Sequence, residues 1–65
     1  MDKHTIAKRL RELRGDIPRK VLADKLGIAT STVGMYENAQ RIPKDDIKKS
    51  YSLYFDKSVE EIFFK

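Results

Sequence analysis

Residues 22–36 of this chain read LADKLGIATSTVGMY, and the spacing within this stretch decides the fold. Its small and apolar residues recur at helical offsets: Leu22, Ala23, Leu26, Gly27, Ile28, Val33 and Tyr36. The first three share one face of a helix, and Gly27 ends that helix because glycine readily adopts a positive φ. Only two residues separate Gly27 from the next helical run, residues 30–38, so the next helix must leave at a steep angle.

Two helices joined by a tight glycine turn form a helix-turn-helix. Ala23 is small where the two helices cross, and Val33 and Tyr36, three residues apart, place one side of the later helix inward. The other side carries small or uncharged residues that core packing does not explain: Thr30, Ser31, Gly34 and Met35. A face of this kind fits the major groove of DNA, which is about 12 Å wide.

The sequence before this stretch predicts one further helix. Residues 5–14 carry apolar side chains at offsets of four and three, which lie on one helical face: Ile6, Leu10 and Leu13. Gly15 and Asp16 break this helix. Pro18 then opens the following one, because proline fixes φ and lacks the N–H that a helix interior requires.

The sequence after it predicts two more helices. The residue before Pro43 is pushed out of the helical region, so a fourth helix is expected to begin near Lys44. Its inward side is expected to bury four residues: Ile47, Tyr51, Tyr54 and Phe55. Residues 58–61, Ser-Val-Glu-Glu, form an S-x-x-E capping box that starts a fifth helix. The chain is therefore predicted to be all-α, with five short helices.

Length and composition narrow the class of protein. The 65 residues are enough for one domain, and we expect residues 1–65 to form a single unit. The sequence has no cysteine and only one histidine, His4, so no disulfide, metal site or cofactor is expected. It has no secretory signal pattern and no apolar run of about 20 residues, so a soluble, cytoplasmic protein is expected.

Basic residues are concentrated in the first two thirds of the chain. Residues 1–44 hold ten Lys or Arg against five Asp or Glu, whereas residues 45–65 hold four against five, and the formal net charge is +4. A basic surface of this kind suits a polyanion such as nucleic acid. Enzyme activity is not expected, because the sequence has no paired acids in a recognisable pocket and no glycine-rich phosphate loop.

The chain resembles the Cro and phage-repressor type of helix-turn-helix regulators, also called the xenobiotic-response-element family. The resemblance lies in residues 6–14, 21–28, 31–38 and 41–43. The ending, residues 57–64, is similar to that of short members from Gram-positive bacteria, phages and integrative elements. The resemblance implies a compact five-helix, lambda-repressor-like DNA-binding domain, in which residues 30–38 are the recognition helix.

The resemblance also implies roles for individual residues. Thr30, Ser31 and Met35 match positions that read base edges. A second set matches positions that contact the DNA backbone: Arg19, Lys20, Thr32, Asn38, Gln40, Arg41 and Lys44. Arg14 and Glu37 match a partly buried ion pair between the first and third helices.

Several positions depart from the family pattern. Ala39 stands where many members have glycine, so Asn38 is expected to take the left-handed conformation there. Pro18 and Ala29 replace the residues that commonly cap the second and third helices. Gly34 lies inside the recognition helix, where it either allows close approach to DNA or is merely tolerated.

Operators of such proteins are usually read by dimers with half-sites about 34 to 36 Å apart. The apolar C-terminal residues are expected to form the dimer interface: Leu53, Ile62, Phe63 and Phe64. The resulting function is a transcriptional regulator, chiefly a repressor, on a pseudo-palindromic operator. The alternative is a protein-interaction module, such as an antitoxin with secondary DNA binding and a protein partner still to be identified.

Overall fold

In a computed structural model that describes residues 2–65, the chain forms five helices: α1 (Lys3–Arg14), α2 (Arg19–Leu26), α3 (Thr30–Glu37), α4 (Asp45–Phe55) and α5 (Glu60–Phe64). The last of these, α5, is a single π-helical turn. The predicted all-α class with five helices is confirmed. α1 begins two residues earlier than predicted, because the Asp2 carboxylate accepts the Thr5 N–H at 2.8 Å and caps the helix. None of these helices has the length and apolar character needed to span a bilayer.

α2, α3 and α4 all end in the same kind of turn, in which one residue has a positive φ. These residues are Gly27 (φ 71°), Ala39 (φ 61°) and Asp56 (φ 54°). The N–H that follows each one donates to a carbonyl five residues earlier: Ile28 to Ala23, Gln40 to Met35 and Lys57 to Ser52. The expectation that Asn38 would be left-handed is wrong. Asn38 has φ −102°, and its N–H still donates to the Gly34 carbonyl four residues earlier, as in the helix, so the left-handed position falls on Ala39.

All five helices contribute to one hydrophobic core, made of Ile6, Leu10, Leu22, Ala23, Leu26, Val33, Tyr36, Tyr51, Ile62 and Phe63. Tyr51 is fully buried, and its ring lies 6.0 to 6.4 Å from the rings of Phe63, Phe55 and Tyr36. The expectation that Tyr54 would be buried is wrong. Its side chain is 38% exposed, because it lies at the margin of the core, edge-on against Phe55.

The Tyr51 hydroxyl is a polar group within this core. It is buried without a hydrogen-bond partner among the described residues. Burial raises the pKa of Tyr51, and the nearby negative charge of Glu37 raises it further. An unpartnered buried hydroxyl lowers stability, because it has lost its hydrogen bonds to water without replacing them.

The predicted capping box at residues 58–61 is present. The Ser58 N–H donates to Glu61 Oε1 at 3.1 Å, and the Glu61 N–H donates to Ser58 Oγ at 3.0 Å. The Ser58 N–H and the Ser58 hydroxyl both donate to Glu61 Oε1, and these two bonds lower the pKa of Glu61. The box starts α5 at the angle that brings Ile62 and Phe63 into the core.

Candidate nucleic-acid interface

α3 has one buried side and one exposed side. Val33, Tyr36 and Glu37 are buried, which fixes the helix against α1 and α2. Thr30 and Ser31 are exposed, and Met35 is half-buried. Because Ser31 and Met35 are four residues apart, their side chains lie one above the other on the outer side of α3. The structure thus places Ser31 and Met35 on one accessible side of the helix and leaves Thr30 exposed in its first turn.

Gly34 does not belong to that accessible side, contrary to the expectation from the sequence. It is buried, and the guanidinium of Arg19 lies over it. A Cβ built on Gly34 would meet Arg19 Nη1 at 3.5 Å, which is ordinary van der Waals contact. Gly34 is buried because it faces α2, where Arg19 crosses the helix surface.

Glu37 joins three arginines from two other helices. The Arg14–Glu37 pair is present: Arg14 Nε lies 2.7 Å from Glu37 Oε2, and the Glu37 side chain is fully buried. The hydrogen bond to Glu37 raises the pKa of Arg14. Arg19 Nε lies 3.1 Å from the other carboxylate oxygen, and Arg11 donates to the Glu37 carbonyl. Sequence reasoning missed these two contacts.

The residues expected to contact the DNA backbone surround α3. Arg19 and Lys20 begin α2, and Asn38, Gln40, Arg41 and Lys44 follow α3 in the connection to α4. Lys20, Asn38, Gln40, Arg41 and Lys44 are exposed. Arg19 and Thr32, which lies on α3, are half-buried, and 40% of the Arg19 side chain is accessible. Arg41 and Lys44 line one shallow depression together with Tyr36. Lys20 pairs with Asp24 at 3.6 Å, a surface contact that leaves its charge available.

The starts of α2 and α3 are electrostatically open to an anion. Within residues 2–65, the side chains of the N-cap residues Pro18 and Ala29 accept no hydrogen bond from the helix N–H groups. The first turn of each helix also has no acidic residue. The free N–H groups and the positive end of a helix dipole favour negative charge at this position. α4 differs, because Asp45 and Asp46 already occupy its first turn.

The expected dimer surface needs correction. Ile62 and Phe63 are 2% and 1% exposed, because α5 packs them into the core of the chain itself, and so they offer no surface to a partner. Leu53 and Phe64 are 83% and 60% exposed. The Lys48 ammonium lies 4.9 Å from the centroid of the Phe64 ring. Leu53 lies on the side of α4 that faces away from Tyr51 and the core.

Comparison with known proteins agrees with this geometry. A family model described as helix-turn-helix matches residues 8–62, which includes α2, the Gly27 turn and α3. The chain matches no curated protein sequence and no solved structure at a significant level. The matched family is one of DNA-binding domains and is typically non-enzymatic. The chain therefore belongs to the helix-turn-helix family of DNA-binding regulators of the Cro and C1 type, with a lambda-repressor-like fold.

Proposed function

We propose that residues 1–65 form one DNA-binding domain that acts in the cytoplasm as a transcriptional repressor and binds a pseudo-palindromic operator as a dimer. One observation carries this proposal: α3 is anchored in the core by Val33 and Tyr36, while Ser31 and Met35 remain accessible on its outer side. A helix that is fixed on one side and free on the other suits insertion into a major groove. The family match does not favour the protein-interaction alternative.

Base reading is assigned to Thr30, Ser31 and Met35. The Ser31 hydroxyl donates to or accepts from a base edge, and the methyl groups of Thr30 and Met35 lie against thymine methyls. None of these side chains makes a bidentate contact, which contributes about 1–3 kcal/mol of discrimination between bases. Direct reading is therefore modest, and half-site spacing and DNA shape supply much of the specificity.

Affinity is assigned to contacts with phosphates. The proposed contacts are those of Arg19, Lys20, Thr32, Asn38, Gln40, Arg41 and Lys44. Each lysine or arginine that neutralises a phosphate releases counterions, so the logarithm of the affinity falls as the logarithm of salt concentration rises. The uncapped starts of α2 and α3 offer further N–H donors for phosphates.

A dimer is proposed because one recognition helix contacts few bases. The Cα atoms span 26 × 23 × 22 Å, a size that allows two copies to lie side by side on half-sites about 34 Å apart. Leu53 and Phe64 are the exposed apolar residues that we assign to the contact between copies. The assignment predicts that Leu53→Ser weakens dimerisation without changing how an isolated chain folds.

The proposal is tested by selecting duplexes from a random-sequence library with the wild-type protein. We expect a pseudo-palindromic sequence to be enriched, and footprinting on DNA flanking the protein's own gene to show the same sequence protected. Arg19→Ala should weaken binding to all duplexes and reduce the salt slope by about one. Lys57→Ala removes the same charge from the turn between α4 and α5 and is the matched control, with little change expected. Enrichment of no sequence over random DNA at physiological salt would contradict the proposal.

A further inference from the structure

Glu37 holds one largely buried arginine and one partly exposed arginine. Its carboxylate is fully buried, and its two oxygens accept from different helices: Oε2 from Arg14 on α1 and Oε1 from Arg19 on α2. Arg14 also donates to the carbonyl of Ile17, so it is fixed by two contacts of its own. The Arg14 contact joins α1 to α3. The Arg19 contact satisfies the other buried carboxylate oxygen, and it also fixes where the Arg19 guanidinium lies.

Arg19 is held by one end of its guanidinium and is free at the other. Arg19 Nε donates to Glu37, and within residues 2–65 the Arg19 side chain makes no other hydrogen bond. Its Nη1 amino group lies over Gly34, and 40% of the side chain is exposed. An arginine has five N–H donors in a rigid plane. Four of them are therefore left for an external acceptor, in an orientation fixed by Glu37 and by the space above Gly34.

The charges of this cluster leave it attractive to an anion. Two guanidinium groups share one carboxylate, so the Arg14, Glu37 and Arg19 side chains together carry one net positive charge. The accessible part of that charge is on Arg19, because the Arg14 side chain is only 20% exposed. A planar guanidinium with free terminal groups matches the geometry of a phosphate.

We propose that Glu37 is a positioning residue for DNA binding, whose buried carboxylate holds the Arg19 guanidinium across Gly34 so that its free donors meet one backbone phosphate beside α3. The inference rests on the DNA-binding function proposed above. Its physical basis is preorganisation: a side chain that is ordered before binding does not lose its freedom when the phosphate arrives.

Simple electrostatics and positioning predict opposite effects for Glu37→Gln. Removing a negative charge from the DNA-facing part of the protein should strengthen binding if only net charge matters. If Glu37 positions Arg19, the same substitution should weaken binding by about three- to tenfold. The Arg19 side chain is then mobile in the free protein, and ordering it on the phosphate reduces the binding free energy. The salt slope should stay unchanged, since Arg19 keeps its charge.

The experiment is a double-mutant cycle of Glu37→Gln and Arg19→Ala, with binding to the selected duplex measured at several salt concentrations. Circular dichroism of the same samples gives the folded fraction, which corrects each affinity. Arg19→Ala should weaken binding about tenfold or more and reduce the salt slope by about one. The double variant should bind no more weakly than Arg19→Ala alone. If Glu37→Gln binds as tightly as wild type or more tightly, or if the two losses multiply, the proposal is wrong.

A second variant keeps the proposal testable if Glu37→Gln does not fold. Gly34→Met fills the space that the Arg19 guanidinium occupies and leaves Glu37 and Arg14 intact. Because Arg19 keeps its charge but loses its position, binding should weaken by about three- to tenfold, as for Glu37→Gln, with an unchanged salt slope, and Gly34→Met should add nothing to the loss caused by Arg19→Ala. Gly34→Ala, with a Cβ in ordinary contact, should bind like wild type. A Gly34→Met protein that binds like wild type would overturn the proposal. A wild-type protein that binds no duplex would instead contradict the DNA-binding function itself.

Discussion

Substitution of Gly34 by alanine should stabilise the protein and leave DNA binding unchanged. Glycine inside a helix costs about 1 kcal/mol relative to alanine. The new Cβ would meet Arg19 Nη1 at 3.5 Å and Cζ at 4.0 Å, both at the end of a flexible side chain. No steric cost therefore opposes the gain, and the free energy of unfolding should rise by about 1 kcal/mol. For a domain of this size, that corresponds to an increase in Tm of about 4–8 °C.

Gly27→Ala is the matched control, because it makes the same chemical change with the opposite expected sign. A Cβ at Gly27 would have nothing within 4 Å, so sterics with neighbouring side chains play no part. Its φ of +71° is the obstacle. Alanine in the left-handed region costs about 1–2 kcal/mol, so this variant should be destabilised by about that amount.

Both variants can be measured by urea and thermal unfolding followed by circular dichroism, together with fluorescence anisotropy on the selected duplex. A stabilised Gly34→Ala protein that has lost DNA affinity would show that the backbone at position 34 lies against the DNA, which is one of the two roles that the sequence leaves open for this glycine. A destabilised Gly34→Ala protein would show that Arg19 is too tightly held to accommodate a methyl group. The first result would refute the placement of Gly34 beneath Arg19, and the second would refute the expectation that the Arg19 side chain accommodates a methyl group.

Three further predictions concern stability. Tyr51→Phe removes the buried hydroxyl that lacks a partner, so the free energy of unfolding should rise by about 1 kcal/mol in urea titrations, and a decrease would mean that the hydroxyl is hydrogen-bonded. The pKa of Glu61 is lower in the folded protein than its usual value of 4.5, so the Glu61 carboxylate stabilises the fold fully above pH 4.5 and loses this effect as pH falls through the folded pKa. Glu61→Gln should therefore lose less stability than wild type when the pH is lowered. If both proteins lose the same free energy of unfolding in acid, Glu61 does not stabilise the fold in this way. Leu22→Ala empties a fully buried site and should cost about 2–5 kcal/mol, enough to leave much of this small protein unfolded at room temperature by circular dichroism.

The central part of the fold could be predicted from the sequence because its determinants are local. The offsets from Leu22 to Tyr36 define two helix faces and one turn, and each depends on residues no more than four apart. The capping box at residues 58–61 is equally local. The accessible side of α3 followed from the same pattern, since the residues that face the core leave the remaining ones outside.

The parts that could not be predicted depend on contacts between distant residues. Arg19 and Glu37 are 18 positions apart, and only the crossing of α2 over α3 brings their side chains together. The same crossing buries Gly34, which helical periodicity placed beside Met35. Ile62, Phe63 and Phe64 are all apolar, so their side chains alone do not indicate which two pack into the core. The direction of α5, which tertiary packing sets, determines that Ile62 and Phe63 are buried and Phe64 is exposed.

The most direct test of base reading by α3 is the sequence preference of a Ser31→Ala, Met35→Ala double variant. Both side chains lie on the outer side of α3, so the variant should fold like wild type. Selection from the same random library, with wild type in parallel, should give an altered consensus in each half-site but the same half-site spacing. An identical consensus, with affinity reduced equally for every sequence, would contradict the assignment of α3 as the helix that reads DNA.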